Sequence, residues 1–225
     1  TGALNTAVGV SALEANTTGA NNTALGVNAL AAVTTGANNV AVGSGAGDAI
    51  TTGGNNIMLG YLVAASAVDG NNQTVMGYGV TSAGNGNFTF GDGTTDSNIA
   101  YGATSITAPS DIRLKEDIQD EEVGLDFIND LRPVTFQWKK EKDVPSEMKA
   151  HVADSEERVM NGKYNHGFIA QEVKEVIDNH GLKDGFDMWQ EDETDGRQRI
   201  GEASLMPLMV KAVQELSAKV EELED

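Results

Sequence analysis

The sequence contains no cysteine, which excludes disulfides and thiolate metal sites and leaves the redox compartment open. No apolar run approaches the roughly 20 residues that a helix needs to cross a bilayer, so we expect no membrane insertion. The formal net charge of -19 argues against a nucleic-acid or anionic-membrane surface, because neutralising phosphates takes clustered Lys and Arg. We interpret the acidity mainly as a source of solubility and self-repulsion.

Basic residues are missing altogether from positions 1–109, which nevertheless hold 19 of the 26 glycines. All 15 Lys and Arg residues and 29 of the 34 acidic residues lie after this stretch. Such a change in composition predicts two domains that meet at Ser110. The chain also begins without Met and with a repeat already in progress, which predicts a fragment of a longer protein.

Residues 1–93 carry a 17-residue repeat and are predicted to be β-structure. Short runs of small or β-branched residues lie between Gly and Asn, which predicts one strand and one tight turn per repeat. A single repeat buries little apolar area, so the repeats must stack as a β-roll or β-solenoid. The repeat is marked by Thr-Gly pairs at Thr1, Thr18, Thr35 and Thr52, by Asn5, Asn22, Asn39 and Asn56, and by Gly9, Gly26, Gly43 and Gly60.

Polar residues in the turns of this region allow two interpretations. Their side chains would bind a metal or a glycan, or they would satisfy their own backbone and accept left-handed dihedral angles. We favour the second interpretation and predict no metal site. The residues concerned are Asn21, Asn38, Asn55 and Asp48.

The repeat region ends in a cluster of aromatic residues followed by a Ser/Thr-rich stretch. We predict core and cap positions for the aromatic side chains of Tyr61, Tyr78, Phe88, Phe90 and Tyr101. Residues 94–109 are predicted to be an extended linker. Exposed sheet edges and a thin core favour side-by-side association of three chains.

The boundary stretch Ser110 to Lys115, read as Ser-Asp-Ile-Arg-Leu-Lys, places a hydroxyl and an amine five residues apart. A serine attacks an amide only when a base takes its proton, and a neutral lysine can be that base. Burial and a neighbouring cation such as Arg113 would lower the pKa of such a lysine from about 10.4. On spacing alone, a serine after a proline is explained better as a helix N-cap.

The stretch Ser110 to Ile118 is similar to the motif that opens the C-terminal intramolecular chaperone and self-cleaving peptidase domain of phage endosialidases, tailspikes and tail fibres. Three further segments match that family in order: Leu131 to Trp138, His166 to Val173, and Leu205 to Leu216. The resemblance therefore spans 110–225. The repeat unit Asn-Thr-Ala-Val-Gly resembles the head repeats of trimeric adhesins and phage tail fibres.

The resemblance implies a serine endopeptidase that acts once, on its own chain, without a cofactor. Ser110 is the expected nucleophile, Lys115 the general base, and Pro109-Ser110 the scissile bond. Asp111, Arg113 and His166 are candidate supporting residues, although a structural hydrogen-bonding role suits His166 equally well. Cleavage at Ser110-Asp111 is the alternative position.

The resemblance also implies a multidomain architecture: a trimeric β-solenoid over 1–93, the linker, and a mainly helical chaperone domain over 110–225. Such a chain would be the C-terminal part of a homotrimeric phage tail fibre or tailspike. It would be assembled in the host cytoplasm, lie in the virion tail and contact a host receptor or glycan. The alternative is an uncut trimeric adhesin with a permanent trimerisation module.

Periodicity predicts the elements of the second domain. Val123, Phe127 and Leu131 predict a short helix, and Val134, Phe136 and Trp138 a strand. Residues 139–165 are predicted to be a solvated loop, and a helix is expected to end near Gly181. The acidic run from Asp184 to Asp195 is read as a solvated loop in preference to a calcium site, and His151 and His180 as surface residues.

Apolar residues at alternating steps of three and four predict a coiled coil over 205–225. Charged residues flank this seam, as solvated positions require. Family resemblance favours three strands for it. The seam residues are Met206, Met209, Val213, Leu216, Val220 and Leu223.

Overall fold

The computed structural model describes residues 2–182 and 186–224. The chain divides into two compact units, Thr1–Glu116 and Asp117–Asp225, so the division falls slightly beyond the compositional boundary at Ser110. Thr1, which opens the first repeat, and Asp184, which opens the acidic run, lie outside the described residues. Within the described ranges, every helix is too short or too polar to span a membrane.

The first unit is a β-solenoid of about five turns, as the sequence predicts. Its first six strands pair in parallel and in chain order, because each short apolar run is followed by a turn that returns the chain beside the previous strand. Paired residues are 17 positions apart between the first five strands, as in Thr6 opposite Thr23, and 14 apart at the last parallel step, Thr74 opposite Phe88. The parallel strands are β1 Thr6–Val8, β2 Thr23–Leu25, β3 Val40–Val42, β4 Ile57–Tyr61, β5 Thr74–Tyr78 and β6 Asn87–Asp92, and strand β7 Asp96–Ala100 follows them at the edge of the sheet.

The solenoid core is thin and consists of two sets of stacked side chains. The central strand residues Ala24, Ala41, Met58 and Val75 are fully buried and lie above one another. Turn residues such as Leu30, Ile50, Val63 and Val80 fill the opposite side. Stacking of neighbouring turns therefore buries the apolar area that one repeat alone leaves in water.

The core position predicted for the tyrosines is wrong. Tyr61 and Tyr78 are 46% and 65% exposed and stack on each other with ring centroids 5.4 Å apart. The inward positions of the same turns are already occupied by Met58 and Val75, so the tyrosines at the strand ends point outward. Tyr101 is exposed as well, whereas Phe88 and Phe90 are half-buried.

The turn asparagines adopt the backbone conformation that we predict for them. Asn21, Asn38 and Asn55 have φ values of 58°, 60° and 59°, in the left-handed region that Asn tolerates better than most residues. Their side chains also bond from turn to turn, with Asn21 Nδ2 donating to Asn38 Oδ1 at 3.2 Å. Among the residues that the structure describes, no group of three or more His, Asp or Glu side chains is placed to hold a metal ion.

A second asparagine column is buried and links the turns internally. Asn22, Asn39 and Asn56 are fully buried. Asn39 Nδ2 donates to Gly53 O at 3.0 Å, and Asn39 Oδ1 accepts from the backbone N–H of Asn56 at 3.1 Å. Each buried amide therefore satisfies backbone groups of the next turn, which would otherwise be left without a partner.

We expect Asn39→Ala to destabilise the solenoid by about 3 kcal/mol or more, because it leaves several buried donors and acceptors unpaired. Hydrogen exchange of peptides from the neighbouring turns measures this loss as reduced amide protection. The matched control is Asn38→Gly, which removes an exposed amide and keeps the positive φ; we expect a change within about 1 kcal/mol. Equal loss of protection in both variants would contradict the role of the buried column.

In its described residues, 117–182 and 186–224, the second unit contains three α-helices and two small antiparallel sheets. Strand Val134–Phe136 (β8) pairs with Asn165–Gly167 (β9), and Trp189–Glu191 (β10) pairs with Gln198–Ile200 (β11). Phe127, Val173, Met188 and Leu208 are among the buried side chains that form its core. The elements are α1 Leu125–Asp130, β8 Val134–Phe136, β9 Asn165–Gly167, α2 Ala170–Asn179, β10 Trp189–Glu191, β11 Gln198–Ile200 and α3 Leu205–Glu224.

Several local expectations for this unit need correction. The first helix starts only at Leu125, where the Glu215 carboxylate of α3 accepts the Leu125 N–H at 2.9 Å. The acidic run is partly a hairpin, whose turn is held by Arg197 and Arg199 bonded to Asp192.

The loop and the histidines of this unit also differ from the prediction. The 139–165 segment contains a bridge between Lys140 and Arg158. His180 has structural contacts that a surface residue lacks: its ring packs edge-on against Phe127, and its Nε2 is hydrogen-bonded to Asp130 Oδ2 at 2.8 Å. His151 bonds to the carbonyl of Val144 at 2.8 Å.

Helix α3 has two apolar faces with different environments. Leu205, Leu208 and Ala212 are buried in the unit. The neighbouring face of the helix carries the residues of the predicted seam, all of which are exposed: Met206, Met209, Val213, Leu216, Val220 and Leu223. The helix predicted for this segment is confirmed, and the single chain leaves its second apolar face in water.

Candidate functional site

The parallel stack ends in an antiparallel strand, β7 Asp96–Ala100, which pairs with β6. The sequence predicts an extended linker over 94–109, yet the structure forms this strand within it. The reversal is made by a tight turn after β6, which a parallel connection would not allow in so few residues.

The turn between β6 and β7 is organised by one carboxylate. Asp92 Oδ1 accepts the backbone N–H groups of Thr94 and Thr95 at 2.9 and 2.8 Å, together with both threonine hydroxyls. The Thr94 hydroxyl is the first cause that lowers the pKa of Asp92 to about 2, and the backbone N–H groups add to it. The ionised carboxylate thus closes the hairpin.

We expect acid to open this turn. The folded pKa of Asp92 lies below its ordinary value of 3.8, so its contribution is complete above about pH 4 and is lost as the pH falls through about 2. NMR of the Thr94 and Thr95 amides should follow that titration. Asp92→Asn keeps an acceptor oxygen that does not titrate, and a pH response of the two amides that persists in this variant would contradict the assignment.

The chain that follows β7 turns back and pairs with it through a single residue pair, the Asn98–Thr107 bridge. The backbone bonds run in both directions: Asn98 N–H to Thr107 O at 2.8 Å and Thr107 N–H to Asn98 O at 2.7 Å. Asn98 Nδ2 also donates to Thr107 Oγ1 at 3.1 Å, and Thr107 Oγ1 donates to Asn98 O at 3.1 Å. The approach to Ser110 is therefore attached to the edge of the solenoid sheet.

Ser110 and Lys115 are brought together by one short turn. A 3-10 helix, Ile112–Leu114, separates them, and Lys115 Nζ lies 2.8 Å from Ser110 Oγ. That distance is typical of a hydrogen bond between an amine and a hydroxyl. The pair has the contact that proton transfer from a nucleophile to a base requires.

Asp111 and Arg113 bond to each other and stabilise the turn, and they take no part in the contact between the Ser110 hydroxyl and the Lys115 amine. The Asp111 carboxylate caps the 3-10 helix by accepting Arg113 N–H at 2.9 Å, and it binds the Arg113 guanidinium at 2.9 and 2.5 Å. The Arg113 side chain is the main cause that lowers the pKa of Asp111 and, reciprocally, Asp111 raises the pKa of Arg113. The N-cap is thus Asp111, and the N-cap interpretation of Ser110 is wrong.

The surroundings of Lys115 differ from the expectation. Lys115 is exposed, and the guanidinium of Arg113, expected to act as its neighbouring cation, is bonded to Asp111. The apolar side chains of the same segment are also exposed: Ile112 by 72%, Leu114 by 71% and Ile118 by 63%. The single chain therefore presents the Ser110–Lys115 pair on a solvent-exposed segment whose apolar side chains are uncovered.

His166 lies in the second unit, on β9, where it is paired with Thr135 of β8. It is exposed and lines a mostly apolar cleft of about 840 Å³ between the small sheet and the start of α3. Met206 and Met209 contribute to the same cleft. In the second unit the residue contributes to a surface cleft, and its role as a supporting residue for Ser110 stays a prediction.

The comparisons with known proteins concern this part of the chain. Residues 110–182 match the model of a peptidase family described as "Chaperone of endosialidase". The match begins at Ser110 and ends before the fourth motif, Leu205 to Leu216, so it covers less than half of the chain. Neither the curated proteins nor the solved structures contain a match. The resemblance inferred from the sequence is thereby confirmed: the segment that starts at Ser110 is similar to the intramolecular chaperone of endosialidases.

Proposed function

We propose that this chain is part of a phage tail fibre or tailspike whose C-terminal unit guides assembly of the β-solenoid and then cuts itself off before Ser110. The observation that carries the proposal is the 2.8 Å contact of Lys115 Nζ with Ser110 Oγ, at the first residue of the family match and just after the solenoid sheet. A β-solenoid, a peptidase-family segment and a hydroxyl–amine pair thus meet at one point of the chain.

The reaction is an acyl shift followed by hydrolysis. Neutral Lys115 takes the Ser110 Oγ proton as Oγ bonds to the carbonyl carbon of Pro109 through a five-membered ring. The Pro109–Ser110 C–N bond then breaks, the departing nitrogen receives that proton from Lys115, and Pro109 is left as an ester on Ser110. Water hydrolyses the ester to a Pro109 carboxylate and a free Ser110 hydroxyl. One water is consumed and one peptide bond is lost.

Assembly supplies the setting in which this chemistry proceeds. Helix α3 exposes one complete apolar face, and the segment after Ser110 exposes Ile112 and Leu114. Association of three chains through α3 as a coiled coil buries that face, and coverage of the Ser110 segment removes water from Lys115 and favours its neutral form. In this proposal cutting follows trimerisation.

The solenoid gains from such guidance because its strand pairing joins residues many positions apart in sequence. Pairing of this kind forms slowly, and exposed strand edges aggregate in the meantime. A C-terminal unit that holds three chains together would shorten the time in which the strands find their correct partners. The finished solenoid would then contact a host receptor or glycan as part of the virion tail.

Expression of the chain under folding conditions tests the proposal. A denaturing gel should show two fragments with the masses of 1–109 and 110–225. Mass spectrometry of the C-terminal fragment should find Ser110 as its first residue, whereas Asp111 would indicate a cut at the next bond. An intact chain after folding and trimerisation would contradict self-cleavage.

The second candidate is an uncut trimeric adhesin in which the C-terminal unit remains as a permanent trimerisation module. The exposure of Ser110 and Lys115 in the single chain favours it, because a solvated lysine is a poor base. Under this alternative the same experiment yields trimers of full-length chain.

A further inference from the structure

We propose that the Asn98–Thr107 bridge positions the scissile bond, so that the chain is cut only when the last turn of the solenoid has closed. This inference rests on the proposed self-cleavage. It makes Asn98 and Thr107 positioning residues for a reaction that takes place at Pro109 and Ser110.

The hydrogen bonds of the bridge support this role. In β7, the backbone N–H and C=O of Asn98 both bond to Thr107, so these groups face the returning chain on the side of β7 away from β6. Four hydrogen bonds of 2.7–3.1 Å join the two residues, two of them from side chains. A strand edge that meets the chain at one residue pair gains little from backbone pairing alone, so the side-chain bonds are needed to keep it closed.

The distance along the chain makes the bridge relevant to the reaction. Ser110 lies three positions after Thr107, and three steps along the chain span no more than roughly 11 Å. Pro109 fixes its own φ and restricts Ala108 to extended conformations, so little freedom is left between the bridge and the scissile bond. An anchored Thr107 therefore restricts where the Pro109 carbonyl can lie relative to Ser110 Oγ.

The bridge also connects cutting to folding. Asn98 is available only when β7 is paired with β6, and that hairpin depends on the Asp92 turn and on β5 beneath it. An unfinished solenoid lacks the edge to which Thr107 attaches, so its Pro109–Ser110 bond stays mobile. The observed cutting rate then scales with the fraction of chains in which the bridge is closed.

The test uses the full chain and measures the first-order appearance of the 110–225 fragment after refolding. We expect Thr107→Val, which keeps the β-branched shape but removes the hydroxyl, to slow cutting about five- to tenfold. Asn98→Ala should slow it by a similar factor. Thr107→Ser keeps the hydroxyl and should restore a rate within about twofold of the wild type. Thr104→Val, the same change outside the bridge, is the matched control.

Two readouts separate positioning from general destabilisation. The pH dependence of cutting should keep its shape in Thr107→Val while its maximum falls, because Lys115 is untouched. In the uncut Ser110→Ala chain, hydrogen exchange should find the Asn98 and Thr107 amides protected, and Thr107→Val should reduce that protection while β6 amides keep theirs.

Distinct outcomes overturn the inference and the proposed function. If the wild type is cut but Thr107→Val and Asn98→Ala match its rate, or Thr104→Val is slowed equally, the positioning role is refuted and self-cleavage stands. Unprotected Asn98 and Thr107 amides refute the bridge itself. A wild-type chain that stays intact as a folded trimer overturns self-cleavage, and this inference with it.

Discussion

Ser110→Ala is expected to yield a folded, trimeric chain that remains intact, with cutting reduced at least about a thousandfold. The change removes only the hydroxyl oxygen that accepts from Lys115 Nζ. Ser110 is exposed and lies outside the described core, so stability should change by no more than about 0.5 kcal/mol. A time course on a denaturing gel measures the effect.

Substitutions at the partner residue distinguish a base from a structural contact. Lys115→Arg retains a cation that can donate to Ser110 Oγ, but a guanidinium cannot act as a base, so this variant should also remain uncut. Ser110→Cys supplies another nucleophile and should retain slow cutting. Ser105→Ala, the same change five residues upstream, should be cut as fast as the wild type. Cutting in Lys115→Arg at the wild-type rate would show that Lys115 is not the base.

Gly60→Ala is expected to destabilise the solenoid by more than about 4 kcal/mol. Gly60 has φ +133°, where a side chain is strained, and an added Cβ would lie 1.8 Å from the carbonyl oxygen of Gly77. Gly60 and Gly77 are paired in the β4–β5 ladder, so neither backbone can move away without breaking hydrogen bonds between the two strands. Hydrogen exchange should show β4 and β5 losing protection together.

A second glycine separates the clash from the dihedral angle. Gly86 has φ +69°, and an added Cβ would meet nothing within 4 Å. Gly86→Ala should therefore cost only about 1–2 kcal/mol, the price of a left-handed backbone. Similar losses in both variants would mean that the dihedral angle, and not the close approach of Gly60 to Gly77, limits substitution.

The sequence predicts the solenoid well because its pattern is repeated. Each repeat supplies the same Gly and Asn positions, and those residues have a direct physical role in tight turns. The orientation of Tyr61 was not predictable from the same pattern, because an aromatic residue at the end of a strand suits either face of a thin sheet. Only the stacking of Met58 on Val75 fixes which side is inward.

In the candidate site, too, some features were predictable from the sequence and others were not. The spacing of Ser110 and Lys115 allowed contact, and the structure makes it through the Asp111-capped turn. Asn98 and Thr107 gave no sequence signal, because a bridge of one residue pair has no periodicity. Arg113 does not take the role foreseen for it, because its guanidinium forms a two-point bond with the Asp111 carboxylate, whose negative charge offsets the positive charge expected to act on Lys115.

The uniform offset of the parallel strands has a kinetic consequence. In β1 to β5 each strand pairs with residues 17 positions away, and a strand that pairs instead with the next repeat but one finds nearly the same side chains. The sequence of these repeats therefore does not specify a single register. Only the far end is unique, because the step from β5 to β6 is 14 residues and β7 runs antiparallel. If folding begins at that end, the first strands pair in a single register, and each following strand adds in that register towards the N-terminus. Nucleation beside Ser110 would therefore set the direction of folding as well as its starting point.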